Sequence, residues 1–112
     1  IKSGGEWINP AQIEEIIGQH PSVGLVAVIG RFDHKWGERP LLIVEPRKGE
    51  AFDTQDLLNA LRGKVADWWI PDQVIEIETM PLGTTGKIDK NRLRAVYAGD
   101  DTATQGADRW RA

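Results

Sequence analysis

The sequence contains no cysteine, which excludes a disulfide framework and any thiolate metal site and suits a reducing compartment, the cytoplasm being the expected one. It has no apolar run near the roughly 18 residues that span a bilayer, and no basic-then-apolar leader pattern at its start. No membrane span is therefore expected. Positive charge is not in excess: 14 Lys and Arg stand against 17 Asp and Glu, a net of −3. That balance gives no general attraction to nucleic acid or anionic lipid, so any anion site must be local. His20 and His34 are isolated, without a His, Cys or Glu partner at ligand spacing. A surface or capping role fits them better than metal binding, and no metal site is expected. There is no internal repeat and no initiator Met, and the chain opens at Ile1-Lys2-Ser3-Gly4-Gly5 as if inside a structured element. It reads as a piece of something longer.

What remains is an ordinary globular composition, 40% hydrophobic and 28% charged, in 112 residues, the size of one domain. Asn9-Pro10 with Gln12 is a helix start, and Ile13, Ile16 and Ile17 share one face before Gly18 and His20-Pro21 stop the helix. Val23 to Phe32 is a nearly continuous apolar run, the pattern of a strand buried on both faces and central in its sheet. A long polar loop from Asp33 to Pro40 precedes a second strand at Leu41-Leu42-Ile43-Val44. Asp53 caps a helix with an inner stripe of Leu57, Leu58, Leu61 and Val65. Trp68-Trp69-Ile70-Pro71 leads to a third strand at Val74 to Ile77, and Asp89 caps a last helix carrying Leu93, Val96 and Tyr97, with Gly99 as its stop. The expected fold is α+β, a small mixed β-sheet flanked by helices in the order β-α-β-β-α-β-α, over residues 1–98. Residues 99–112 are polar and aperiodic, and a mobile tail is expected there.

Between the third strand and the last helix lies Gly83-Thr84-Thr85-Gly86-Lys87. Glycines and hydroxyls there let the backbone approach an anion, and the Lys supplies charge. A Walker loop it is not: two residues rather than four separate the glycines, and Ile88 rather than Ser or Thr follows the Lys. By itself the stretch also fits a plain surface turn. The basic cluster Lys87, Lys90, Arg92 and Arg94 is interrupted by Asp89 and lacks interleaved aromatics, which fits a solvated helix face rather than a nucleic-acid patch.

Ile1-Lys2-Ser3-Gly4-Gly5-Glu6-Trp7-Ile8-Asn9-Pro10 at one end, paired with the Lys87 loop near the other, resembles the two signature motifs of the C-terminal domain of the adenylate-forming superfamily. That superfamily comprises acyl-CoA ligases, luciferases and peptide-synthetase adenylation domains. The resemblance covers residues 1 to 98, and Gly-Gly-Glu-Trp-Ile and Trp-Trp-Ile-Pro-Asp are similar to stretches of medium- and long-chain fatty-acyl-CoA ligases.

The resemblance implies a lid domain serving two half-reactions. A carboxylate first attacks the α-phosphate of ATP to give acyl-AMP and pyrophosphate, and the thiol of CoA then attacks the acyl-AMP. Lys87 is implied as the catalytic residue of the first step, its loop Gly83, Thr84, Thr85 and Gly86 shaping the approach to phosphate. Ser3, Gly4, Gly5, Glu6 and Trp7 are implied to line the pantetheine tunnel in the second. Trp36, Arg39 and Trp68 fall at positions similar to ones that contact the CoA nucleotide. Each has a plainer reading: Gly4-Gly5 as a tight turn, Glu6 as a rim charge, Trp7, Trp36 and Trp68 as packing residues, a reading that suits Trp69 better still. Related ligases often carry Lys or Arg where this chain has Trp69, Ile70 and Asp72, which leaves Arg39, Lys35 or the N-terminal domain to hold the CoA phosphates. Mg²⁺, most ATP contacts and the acyl pocket are implied to belong to that N-terminal domain, and the isolated chain is expected to be inactive. Lys87 is also implied as a site that a protein lysine acetyltransferase could acylate, removing its charge. Two rivals stand beside the ligase reading: an adenylation domain that loads a carrier protein, and a self-contained regulatory module.

Overall fold

The computed structural model describes residues 1–99, so the expected tail, Asp100 onward, lies outside the described residues. The chain opens with a small hairpin, β1 (Lys2–Ser3) and β2 (Glu6–Trp7), turned by Gly4 and Gly5 at φ +59° and +86°. Positive φ at both central residues is the two-residue turn that matches strand twist, and it is why glycine stands at both. The single opening strand read from sequence is thus two short ones.

Helix α1 (Pro10–Gly18) begins as its sequence dictates, with the Ala11 N–H donating to Asn9 Oδ1 at 3.0 Å and Pro10 in the first turn. Strands β3 (Val23–Asp33) and β4 (Gly37–Pro46) form a long antiparallel hairpin paired from Val23↔Pro46 to Asp33↔Gly37. Helix α2 (Thr54–Leu61), capped by Asp53, and a 3₁₀ turn (Asp67–Trp69) connect β4 to β5 (Gln73–Glu76), which runs parallel to it. Helix α3 (Lys90–Tyr97), capped by Asp89, closes the described chain.

The sheet is mixed, and its central strand is β4, which pairs with β3, β5 and, at Gly37, with β1. This corrects the expectation for β3, which among the described residues pairs only with β4 and lies at an edge. A continuous apolar run reports burial on two faces, not the number of neighbouring strands. Along β4 the period-2 alternation divides the interior: Leu42 and Val44 join Ile13, Ile17, Val28, Leu57 and Leu61 under α1 and α2, while Leu41 and Ile43 join Ala27, Ile29, Ile75 and Leu93 under α3. All of these side chains are buried. Each large one stabilises the fold by about 1.5–3 kcal/mol over its exposed state.

The edge of β3 is closed by helices rather than by another strand. The Val28 N–H donates to Glu14 Oε2 of α1 at 2.8 Å, and the Phe32 N–H donates to the Ala98 carbonyl at the end of α3 at 3.0 Å. Three further expectations are corrected. The Asp33–Pro40 loop shrinks to residues 34–36 because pairing continues to Gly37, Val65 falls beyond the end of α2, and Val96 is 47% exposed.

Candidate functional site

The sequence-predicted residues gather at two places, one at each end of β4. At its start, Ser3 pairs with Gly37, and the Gly4 N–H donates to the Trp36 carbonyl at 2.7 Å. The glycine turn is thereby tied to the β3–β4 loop. A Cβ on Gly4 would stand 3.0 Å from Trp36 Cε3, so the missing side chain admits the indole, whereas nothing lies within 4 Å of the corresponding point at Gly5.

The loop that presents Trp36 is shaped by Asp33, whose Oδ1 accepts the N–H groups of Lys35 and Trp36, both at 2.8 Å. The Trp36 bond chiefly holds the Asp33 carboxyl below its ordinary pKa, with the Lys35 bond, Arg39 and Arg31 acting in the same direction against a smaller opposing desolvation. Trp36 is 47% exposed, with Lys35 Nζ 4.9 Å from its ring centroid.

Beside this loop lies a cavity of about 420 Å³ lined by Ser3, Gly4, Glu6, Trp36, Arg39, Trp68 and Asp72. Its size is that of a small-ligand site. Beneath it, Arg39 is buried and engaged throughout: Nε and Nη2 donate to the Asp72 carboxylate at 2.8 and 3.1 Å, Nη2 also to the Ile70 carbonyl at 3.0 Å, and Nη1 to the Trp68 carbonyl at 2.7 Å and Ser3 Oγ at 3.3 Å. All five N–H groups of a guanidinium are thus met by protein acceptors. Trp68 is 42% exposed and turned edge-on to Trp69, which packs against the core. Trp7, 69% exposed, does not line the cavity, and Lys2 Nζ lies 5.6 Å from its ring.

At the other end, the Met80 N–H donates to Glu45 Oε1 at 2.6 Å and the chain enters the lysine loop. Leu82 and Ile88 pair across it, the Gly83 N–H donates to the Lys87 carbonyl at 2.7 Å, and the Gly86 N–H donates to the Gly83 carbonyl at 3.0 Å with Gly86 at φ +84°. The backbone of Lys87 is therefore fixed while its side chain is exposed. A shallow hollow of about 390 Å³ joins Gly83, Thr85 and Lys87 to Lys90, Asn91 and Arg94 of α3. Lys90 is held by Glu14 at 2.8 Å and Arg94 by Asn91 at 3.0 Å. Lys87 makes no ion pair among the described residues.

Glu45 follows Gly37 by eight residues, so strand rise separates the two places by about 27 Å. Among the described residues no group of three or more His, Cys, Asp and Glu side chains gathers to hold a metal ion, and no helix is long and apolar enough to cross a membrane. His20 serves the turn after α1, its Nδ1 lying 2.8 Å from Ser22 Oγ. Asp33 and Glu14 were not singled out from sequence, and Asp72 was noted only as a place where related ligases carry Lys or Arg, not as the partner of Arg39. Only Asp33 carried a local signal, an Asp opening a short polar turn.

The described residues thus form a mixed sheet with a glycine hairpin at one end of its central strand and a lysine loop at the other. Residues 12–87 match the family of the AMP-binding enzyme C-terminal domain, and the chain belongs to it. It is 47% identical over 97 residues to 3-methylmercaptopropionyl-CoA ligase of Ruegeria pomeroyi, covering 87% of this chain and 18% of that one. It is 45% identical over 97 residues to a medium-chain-fatty-acid–CoA ligase of Ectopseudomonas oleovorans, again 87% of this chain and 18% of the other. Among solved structures, MatB from Rhodopseudomonas palustris in its apo form superposes with a TM-score of 0.82 at 35% identity, over 88% of this chain and 20% of its own. Fatty acyl CoA synthetase of Mycobacterium tuberculosis gives 0.80 at 41% identity, over 88% and 19%. The chain thus spans about a fifth of the length of the relatives it matches.

Proposed function

We propose that this domain is the lid of an AMP-forming acyl-CoA ligase that activates a carboxylic acid, fatty acids being favoured by the names of several relatives. Its two ends serve successive steps. The observation that carries the reading is the placement of the glycine turn and the lysine loop at opposite ends of β4: one rigid body cannot bring both to the same reacting carbon, so the lid turns between steps.

In the first step Lys87 stands on a fixed backbone with an exposed ammonium that no described residue pairs, a point charge able to meet the acid's carboxylate and the α-phosphate of ATP and to stabilise the charge that builds as they combine. Mg²⁺ and the remaining ATP contacts belong to the larger domain. In the second step Gly5, with nothing within 4 Å of where a Cβ would stand, leaves room for the pantetheine arm, while Gly4 admits the Trp36 indole. The exposed faces of Trp36 and Trp68 suit an adenine, which favours a nucleotide-bearing thiol over a carrier protein. Acylation of the exposed Lys87 by a lysine acetyltransferase would switch off the first step alone.

The test is Lys87→Ala in the full-length protein with the half-reactions measured apart. Acyl-AMP formation should fall about 100- to 1000-fold, the loss expected when one stabilising donor is removed. Presynthesised acyl-AMP and CoA should still give thioester within a few-fold of normal. Losses of equal size in both steps would overturn the assignment.

A further inference from the structure

A buried guanidinium is tolerated only when its donors are met, and those of Arg39 are met by two separate stretches of chain: Ser3 in β1, and residues 68–72 through the Trp68 and Ile70 carbonyls and the Asp72 carboxylate. Ser3, Trp68 and Asp72 of these stretches line the 420 Å³ cavity. Apart from Arg39, the 3₁₀ turn that carries Trp68 is held by the packing of Trp69 on the core and by its own backbone bonds, none of which engages the Trp68 carbonyl. It is three residues long, has no side-chain cap, and none of its residues is fully buried. Through Ser3 the same guanidinium also reaches the Gly4 turn, whose N–H is bonded to Trp36.

We propose that Arg39 is the positioning residue of the acceptor cavity, setting the gap between Trp36 and Trp68, and that Asp72 is its counter-charge. Each wall of the gap is fastened to it, Trp68 by its own carbonyl and Trp36 by way of Ser3 and Gly4. Because its donors face the protein, Arg39 acts on the nucleotide through the two indoles rather than by gripping a phosphate. This rests on the assignment of the cavity to the thiol acceptor.

The test uses the full-length protein and the thioester half-reaction, started from presynthesised acyl-AMP with CoA varied. Arg39→Met should raise the KM for CoA by about tenfold or more while kcat at saturating CoA and the rate of adenylation stay within about twofold. Arg39→Lys should fail to rescue, since an ammonium cannot reproduce a planar fork bound to two segments through four residues. Asp72→Asn, which keeps the shape and one acceptor, should raise the KM less and guards against misfolding of the Met variant. An unchanged KM, rescue by Lys, or equal losses in both half-reactions would each overturn the proposal. Trp36→Ala and Trp68→Ala identify where a failure lies. If they leave the KM for CoA unchanged, the cavity is not the acceptor site; if they raise it and the Arg39 variants do not, the positioning role alone falls.

Discussion

The carboxylate of Glu38 lies over Gly30, where an added Cβ would stand 2.5 Å from Oε2, and from that place Oε1 accepts the N–H of Lys2 at 2.9 Å. The empty side of one glycine thus lets β4 hold β1 and, through it, the glycine turn. Gly30→Ala should push aside only the far end of a flexible side chain, so global stability should change little. The Lys2 amide should lose its acceptor and exchange with solvent about fivefold faster, the equivalent of about 1 kcal/mol for one hydrogen bond. Amide exchange by NMR reads this directly, and an unaltered Lys2 rate would show that Glu38 adapts without letting go.

Gly5 separates backbone strain from lost space. Its φ of +86° disfavours any side chain, yet nothing lies within 4 Å of where a Cβ would project. Gly5→Asn, a residue that tolerates the left-handed region, should fold with a Tm near that of the parent, while Gly5→Leu should cost about 1–2 kcal/mol of stability. In the full-length protein Gly5→Leu should slow thioester formation more than adenylation, because under the proposed function the side chain would enter the open space assigned to the thiol arm. Parallel assays of pyrophosphate release and CoA-dependent product check this, and equal slowing would reduce the effect to the turn.

Asp33 should make the Trp36 loop acid-sensitive. Its folded pKa is lowered, chiefly by the Trp36 N–H. The ordering it provides is therefore present in full above the ordinary Asp pKa and is lost as pH falls through the lower folded value. The indole N–H resonance of Trp36 should move in that acid range and nowhere nearer neutrality. Asp33→Ala should leave the loop disordered at every pH and abolish the titration.

Glu14 closes the edge of β3 and holds the first residue of α3, since its Oε2 accepts from Val28 at 2.8 Å and lies 2.8 Å from Lys90 Nζ. Lys90→Met removes only a partly exposed ion pair and should cost at most about 1 kcal/mol. Glu14→Leu also strands a backbone N–H and should cost about 1–3 kcal/mol. Urea unfolding of the two variants distinguishes these, and equal costs would mean that the Val28 bond contributes nothing.

The elements were legible because each was signalled locally. Asn9-Pro10, Asp53 and Asp89 cap the three helices, and the unbroken run from Val23 announces a strand covered on both sides. The order of strands was not, because nothing in the side chains of β3 says that its outer edge meets Glu14 and Ala98 instead of another strand. The two site motifs were legible for the same reason as the caps: Gly4-Gly5 and Gly83 to Lys87 are contiguous. The Arg39–Asp72 pair spans 33 residues and obeys no period. Only folding brings it together, as it does Gly30 and Glu38, which look unrelated along the chain.

The central strand is also a ruler. Both proposed site ends are fastened to β4, one at Gly37 and the other at Glu45, so the count of residues between them fixes their spacing as a machinist's gauge would. Removing two residues there preserves which side chains face α1 and which face α3, because the pattern repeats every second position, yet it shortens the gauge by about 7 Å. A domain altered in this way could remain folded and well packed while being the wrong length for one of its two stations.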